Sequence, residues 1–462
     1  MTLSSNGPSR RARVLWVAGL ASLGLVGCGE ALEAPEAAAR EPVMTFEQFR
    51  AQAWHESDTD IYVIDGDVPV LGEKGLRELY QDYVREARGE EDGLGTQRAP
   101  LIVNRVNGAD DRWGYSRQRN IPYCVSTAFG SNYNTVVQAM AQAAAAWHQV
   151  NVRFQHRSDQ DGNCNASNPN VIFDVRPTSG QGYLARAFFP SYPRASRNVL
   201  IDASSFGNNA PWTLTGILRH ELGHTLGFRH EHTRPESRTC FEDNNWRALT
   251  GYDAASVMHY PQCNGSNRGD LVLTGADVSG AHALYGPLAD RDVDVPFYLL
   301  NYGDLTNAFG ATGWDAARSH WAGAGTAEGR RSSAHFDVRY YLAIHGDLVA
   351  AFGPTNWTAA RDHFLTAGIP EGRRSSLEFD VRYYLAANAD LAAAFGNNYA
   401  AALDHWRVQG LFEGRRASAD FDVKYYLASN PDLQAAFGAT NYPAAMDHWI
   451  FTGRAQGRRG AP

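Results

Sequence analysis

His220-Glu221-Leu222-Gly223-His224-Thr225-Leu226-Gly227-Phe228-Arg229-His230 is the stretch from which the rest of this 462-residue chain is read. Residues four apart share one helical face, so His220 and His224 can aim at a single metal ion. Glu221 lies beside that face, placed for the metal's water rather than for the metal. His230 cannot come from the same straight helix. The chain must turn sharply first, and Gly227 tolerates the positive φ that such a turn needs. Three imidazoles with one position left open describe a catalytic zinc site, because structural zinc sites are closed by four protein ligands. Such a site acidifies water towards neutrality and makes it a nucleophile. The competing reading, a surface helix with solvated histidines, leaves the joint occurrence of five fixed positions unexplained.

Outward from this stretch, Thr213 can cap a helix from Leu214 to Leu226, with Ile217, Leu218 and Leu222 on its packed side and Gly227 as its stop. Upstream, Tyr133 to Val150 reads as an Ala-rich helix. Val152-Arg153-Phe154, Val171-Ile172-Phe173, Tyr183 to Phe189 and Val199-Leu200-Ile201 read as strands. A last helix, Asp277 to Leu284, ends before Gly286. These elements predict a mixed α+β domain over residues 100–287.

The eleven-residue stretch is followed by Ser256-Val257-Met258-His259-Tyr260, and the combination resembles the metzincins, zinc peptidases with this motif and a Met-turn. The resemblance implies a twisted mixed sheet, an active-site helix, and Met258 beneath the metal without ligating it. It implies Zn2+ on His220, His224 and His230, with Glu221 as general base. The SVMHY form and His230-Glu231-His232-Thr233-Arg234-Pro235 are most similar to the astacin branch. There the residue matching Tyr260 is a swinging fifth ligand that helps hold the oxyanion, and the residue matching Glu231 pairs with the mature amino terminus. From the residues alone, Tyr260 also reads as a packed core tyrosine. Leu273 to Gly286 is similar to the last helix of several metzincin branches. The cysteine positions depart from astacins, and no astacin-type mature start is evident, so the resemblance is to an astacin-related bacterial branch. It implies an endopeptidase acting on proteins or peptides outside the cytoplasm.

The amino terminus agrees with export. Arg10, Arg11 and Arg13 precede a short apolar run, Val14 to Val26, that ends in Leu25-Val26-Gly27-Cys28. This resembles a bacterial lipobox and implies a signal over residues 1–28 with Cys28 lipidated, the membrane being touched only through that anchor. A plain secretory signal with an incidental Cys is the other reading. No apolar run reaches the roughly 18 residues that span a bilayer. Of five cysteines, Cys124, Cys164, Cys240 and Cys263 remain, which allows three pairings. The pairing closest in sequence, Cys124–Cys164 and Cys240–Cys263, is expected, as suits an oxidising compartment. A cysteine zinc site competes, but no CxxC spacing occurs. The net charge of −8 argues against nucleic acid, which needs a concentrated basic face.

Residues 29–99 read as a tether and propeptide, with a strand at Ile61 to Ile64, a helix from Leu76 to Arg88 and a cleavable linker at Glu90-Glu91-Asp92-Gly93. Ile64-Asp65-Gly66-Asp67 resembles the FxGD motif of astacin propeptides. The resemblance implies that Asp67 fills the open zinc position. A simple Gly-Asp β-turn stands beside that reading.

Residues 293–460 repeat at about 43 residues. Phe297-Tyr298, Tyr340-Tyr341, Tyr383-Tyr384 and Tyr425-Tyr426 open four α-helical units, expected to hold two short helices each and to stack. His320, His363, His405 and His448 follow at one offset, each isolated from a second His or Cys, so zinc is not expected there. The units resemble modules of large bacterial surface proteins. One reading is an array that binds cell-surface polymers. The other is a stacked spacer whose aromatics are its core, and the recurrence of the tyrosine pairs favours it. Besides the endopeptidase, a surface adhesin with a secondary peptidase fold and a hydrolase of peptidoglycan peptides fit these features.

Overall fold

The computed structural model describes residues 44–57, 59–64, 66–88, 101–238, 240, 242–266 and 269–462. The signal, Cys28, the tether, Asp65 and the expected cleavable linker lie outside the described residues. Helix α1 (Phe46–Arg50) opens with a capping box between Thr45 and Gln48. Strands β1 (Trp54–Glu56), β2 (Ile61–Ile64) and β3 (Val68–Leu71) form an antiparallel sheet in that order. Helix α2 (Gly72–Arg88) starts four residues before the expected Leu76 and packs Leu76 against Phe46 and Tyr62.

The central region follows. It runs through β4 (Ile102–Val106), β5 (Ala109–Asp110), α3 (Tyr115–Gln118), β6 (Ile121–Val125), α4 (Tyr133–Trp147), β7 (Phe154–His156), β8 (Phe173–Thr178), β9 (Ala185–Arg186) and β10 (Asn198–Asp202). The main sheet has the order β7-β6-β8-β10-β9. All its pairings are parallel except β10 with β9. Strands β6 and β10 are buried along their whole length, as parallel strands covered on both faces must be. Several expected boundaries move. Helix α4 stops at Trp147 rather than Val150, β7 starts only at Phe154, β8 runs from Phe173 to Thr178, and the Tyr183 to Phe189 strand shrinks to β9. Val150, Val152 and Val171 are buried all the same. Their apolar signal reports core packing, which needs no strand ladder.

Helix α5 (Leu214–Thr225) carries the motif and is capped by Thr213, whose Oγ1 accepts from the Gly216 N–H at 3.0 Å. It packs on α4, where Trp147 Nε1 donates to the Arg219 carbonyl at 2.9 Å. Strands β11 (Phe228–Arg229) and β12 (Trp246–Ala248) pair antiparallel with β4, and α6 (Gly275–Tyr285) closes the domain. The disulfides pair as expected, with Cα–Cα separations of 5.6 Å for Cys124–Cys164 and 5.7 Å for Cys240–Cys263. The fold is therefore mixed α+β, as the sequence predicts.

Each repeat holds three short helices and a π-helical turn, not two helices. The first has α7 (Val295–Asn301), α8 (Gly303–Phe309), α9 (Trp314–His320) and the turn Trp321–Gly325. The second has α10 (Val338–Ile344), α11 (Gly346–Phe352), α12 (Trp357–His363) and Phe364–Gly368. The third has α13 (Val381–Ala387), α14 (Ala389–Phe395), α15 (Tyr399–His405) and Trp406–Gly410. The fourth has α16 (Val423–Ala428), α17 (Pro431–Phe437), α18 (Tyr442–His448) and Trp449–Gly453. The Asp-Leu segments form the extra helices, each ended by a glycine such as Gly310.

One apolar core runs through all four units, with Tyr298, Tyr341, Tyr384 and Tyr426 fully buried in it. First and last units meet where Phe297 and Phe451 stand 4.9 Å apart. The array also docks on the α+β domain. Trp314 Nε1 donates to the Ala283 carbonyl at 3.1 Å, Asn441 Nδ2 to that of Ser116 at 3.0 Å, and Arg119 pairs with Asp447. Met44–Pro462 is a single compact unit. Among the described residues, no helix is long and apolar enough to cross a membrane.

Candidate metal centre

Helix α5 sets the His220 and His224 rings 5.0 Å apart on one face. At Gly227 the chain turns with φ +90°, and a Cβ there would collide with the Asp111 carbonyl. The turn feeds β11 and returns His230 to the helix, with 3.1 Å between the Nε2 atoms of His220 and His230. The opposite ring nitrogens are all engaged. His220 Nδ1 meets the Val257 carbonyl at 2.7 Å, His224 Nδ1 the Phe228 carbonyl at 2.8 Å, and His230 Nδ1 meets Glu242 Oε1 at 2.5 Å. Each partner is an acceptor, so each Nδ1 carries the proton and each Nε2 is left as a free donor for a metal.

Asp67 enters the same space from the turn before β3. Its Oδ1 lies 3.0 Å from His230 Nε2 and 3.9 Å from His224 Nε2, and its Oδ2 lies 3.3 Å from His220 Nε2. The four residues are buried, and their candidate ligand atoms all lie within 4.8 Å of one another. His224 Nε2, Asp67 Oδ1 and Glu221 Oε2 are buried without a hydrogen-bond partner. Buried polar atoms are rarely left so. Three imidazole nitrogens and a carboxylate oxygen are zinc donors, so these residues fit the ion.

Burial pushes the Glu221 carboxyl well above its usual range, and the negative charge of Asp67 adds to this. Burial works on Asp67 in the same direction, but the imidazoles of His230 and His220 beside it outweigh that and hold the carboxyl well below its usual range. Met258 is fully buried beneath α5, where a Cβ on Gly223 would strike its sulfur. The Tyr260 ring lies 4.4 Å from that of His230 and 5.5 Å from that of His220, and its hydroxyl faces Gly66. Tyr260 is thus both beside the cluster and against Gly66 of the amino-terminal segment.

A family profile described as a dual-action HEIGH metallo-peptidase matches residues 115–268. Bone morphogenetic protein 1 of Xenopus laevis is 29% identical over 211 residues, covering 41% of this chain and 25% of that protein. Tolloid-like protein 1 of Mus musculus is 30% identical over 190 residues, 36% of this chain and 16% of that protein. Over this region the chain is similar to metallopeptidases of the astacin-related metzincin kind. The chain spans a quarter or less of the length of these two relatives. Among solved structures, myroilysin is similar at 17% identity and TM-score 0.29, over 40% of this chain and 98% of that one. High choriolytic enzyme 1, a hatching enzyme zinc-protease from Oryzias latipes, is similar at 21% identity and TM-score 0.27, over 38% and 95%.

Two further residues near the site, Glu56 and Arg186, carry no local sequence signal. Glu56 reaches from β1 to Arg186 on β9, accepting from Nε at 2.7 Å and from Nη2, and it also accepts from the Tyr183 hydroxyl at 2.5 Å. Ile61 and Val63 pack with Tyr183 and Leu200, and the Tyr192 hydroxyl donates to the Pro69 carbonyl at 2.5 Å. Glu231 is fully buried. Its Oε1 accepts from the Asp253 N–H and from Arg234 Nη1, both at 3.2 Å, and burial pushes its carboxyl up to about 8. Glu242 lies in an acidic, loop-like stretch that reads as solvated surface, and only the fold brings it under His230.

Proposed function

We propose that this protein is a zinc-dependent endopeptidase of extracytoplasmic proteins, held latent by its own amino-terminal segment. The convergence of the His220, His224 and His230 Nε2 atoms beside an unpartnered Glu221 oxygen carries this reading. Zinc bound there by the three imidazoles supplies Lewis acidity that polarises a peptide carbonyl and acidifies water. Glu221 takes the proton of the attacking water and passes it to the leaving amine. Tyr260, beside the cluster, is read as the hydroxyl that helps hold the developing oxyanion. Met258 supports the site from below.

Asp67 is read as the occupant of the substrate's position, with Glu56 on Arg186 as a second latch. Cutting the linker near Glu90 to Arg98 would free the cleft and also sever the domain from Cys28. Activation and release from the envelope would then be one event. Glu231, with one oxygen unpartnered, is the candidate partner for the new amino terminus. The repeats are read as a structural array, supported by the full burial of the second tyrosine of each recurrent pair, Tyr298, Tyr341, Tyr384 and Tyr426.

The test is a casein assay on the proteolytically activated protein, with and without a zinc chelator, beside Glu221→Gln. Chelation abolishes activity. The variant keeps zinc and loses about a hundred- to ten-thousandfold in turnover. Normal turnover by Glu221→Gln sinks the assignment.

A further inference from the structure

We propose that Glu242 is the positioning residue for the third imidazole, holding His230 in the tautomer and orientation that the metal requires. The inference rests on the zinc reading above. The three histidines are not equally supported. His220 and His224 are anchored in α5 and donate from Nδ1 to main-chain carbonyls. His230 stands outside any helix, in extended backbone with φ −63° and ψ 127°. Its ring therefore needs a partner that compensates for the missing scaffold. The structure supplies a carboxylate, Glu242 Oε1, at 2.5 Å from Nδ1. A hydrogen bond to an ionised acceptor is about twice as strong as one between neutral groups, and it raises the basicity of the far nitrogen.

Glu242 is itself held by an arginine and a threonine. Its Oε2 accepts from Arg229 Nη2 at 2.5 Å, and its main-chain N–H donates to Thr233 Oγ1 at 2.9 Å. Arg229 also donates to Asp243 Oδ2 at 2.7 Å. Because Arg229 lies on β11, paired to β4, the sheet fixes the carboxylate. The Cys240–Cys263 disulfide ties the same loop to the segment after Tyr260. A second imidazole joins. His232 Nδ1 accepts from the Tyr260 N–H at 3.3 Å, so its Nε2 carries the proton that faces Glu242 Oε1 at 3.4 Å. The His232 ring stacks on His230 at 4.6 Å and on Tyr260 at 5.0 Å. One oxygen thus gathers the third ligand and the backbone of the tyrosine loop.

His230, His232 and Glu242 also group as a possible metal cluster. The 2.5 Å between His230 Nδ1 and Glu242 is a hydrogen-bond distance, too short for two ligands that each sit about 2.0–2.2 Å from one ion. Removing the carboxylate would leave a buried Arg229 half-paired and the His230 ring free to turn. A buried charge of this kind is costly to keep unless it performs a task.

The test measures zinc affinity of the full chain by competition with a chromophoric chelator, alongside the d–d spectrum of the cobalt-substituted protein. Glu242→Ala should bind zinc about 10- to 100-fold more weakly, with Glu242→Gln between it and the parent. Asp243→Asn touches the same arginine but not His230, and should stay within about threefold of the parent while leaving the cobalt spectrum unchanged. If Glu242→Ala does not fold, by circular dichroism, Glu242→Gln decides. Parent-like affinity and spectrum in the Glu242 variants overturn the proposal, and so does an equal loss in Asp243→Asn. A parent that binds no zinc instead overturns the zinc reading on which the proposal rests.

Discussion

The metal centre and the repeat array use the same materials, histidines beside aromatic rings and carboxylates, to opposite ends. In the array each histidine closes on a tyrosine. The hydroxyls of Tyr298, Tyr341, Tyr384 and Tyr426 stand 2.8, 2.9, 2.8 and 2.8 Å from Nδ1 of His320, His363, His405 and His448. Each of these tyrosines also sits against a π-turn glycine that leaves no space for a Cβ. At the centre, the imidazoles turn their protonated nitrogens outward to fixed acceptors and their bare nitrogens towards one another. His224 Nε2, Asp67 Oδ1 and Glu221 Oε2 are left unpartnered. A histidine that finds its partner within its own repeat is architecture. Histidines that converge without satisfying one another mark a place for something else.

Substitutions that should separate the two regions break this comparison if they do not. The largest effect is expected in the array. Trp321 is 1% exposed in the shared core, so Trp321→Ala should cost about 3–5 kcal/mol, seen as a lowered unfolding midpoint, while zinc affinity of the folded protein stays the same. At the centre, Asp67→Ala should raise the activity of the uncleaved chain roughly tenfold or more, because the fraction of molecules with an open site rises. Unchanged activity with the segment still attached would refute the latch. A smaller effect comes from Tyr341→Phe, which strips His363 of its hydrogen-bond partner. It should cost about 1 kcal/mol in a denaturant titration and leave activity alone.

What the sequence revealed divides along the same line. The α5 motif was legible because its geometry is local, with His220 and His224 one helical turn apart and Gly227 marking the bend. The disulfides were legible because the closest cysteines close the shortest loops. Strand boundaries at Val152 and Val171 were not, since buried valines look alike whether or not they join a ladder. The third helix in each repeat was hidden because a seven-residue segment such as Gly303–Phe309 gives too little periodicity to count. Glu56, Arg186 and Glu242 were invisible for a stronger reason. Their roles exist only between segments far apart in the chain, and a lone acidic residue in a polar stretch reads as solvated.

Acidity should divide the two regions by sign. Where the array meets the α+β domain, Arg119 is 3% exposed and pairs with Asp447, with Asp294 close by. Burial pushes the Asp447 carboxyl up to about 6 against the pull of Arg119, and burial raises Asp294 too. A carboxyl whose folded pKa lies above its unfolded value binds its proton more tightly in the folded state. Its stabilising contribution is complete below the unfolded pKa, near 3.8, and is lost as the pH rises through about 6. The metal centre runs the other way, since its imidazoles must shed protons to bind zinc and acid releases the ion. Metal-free protein should therefore gain stability from this junction between about pH 7.5 and pH 5, by a fraction of the roughly 1.4 kcal/mol per pH unit that one full proton gives. Asp447→Asn removes the titrating group and should lose that part of the slope. Parallel stability profiles for parent and variant would show that the junction takes no part in the pH response, and the contrast with the metal centre would fail there.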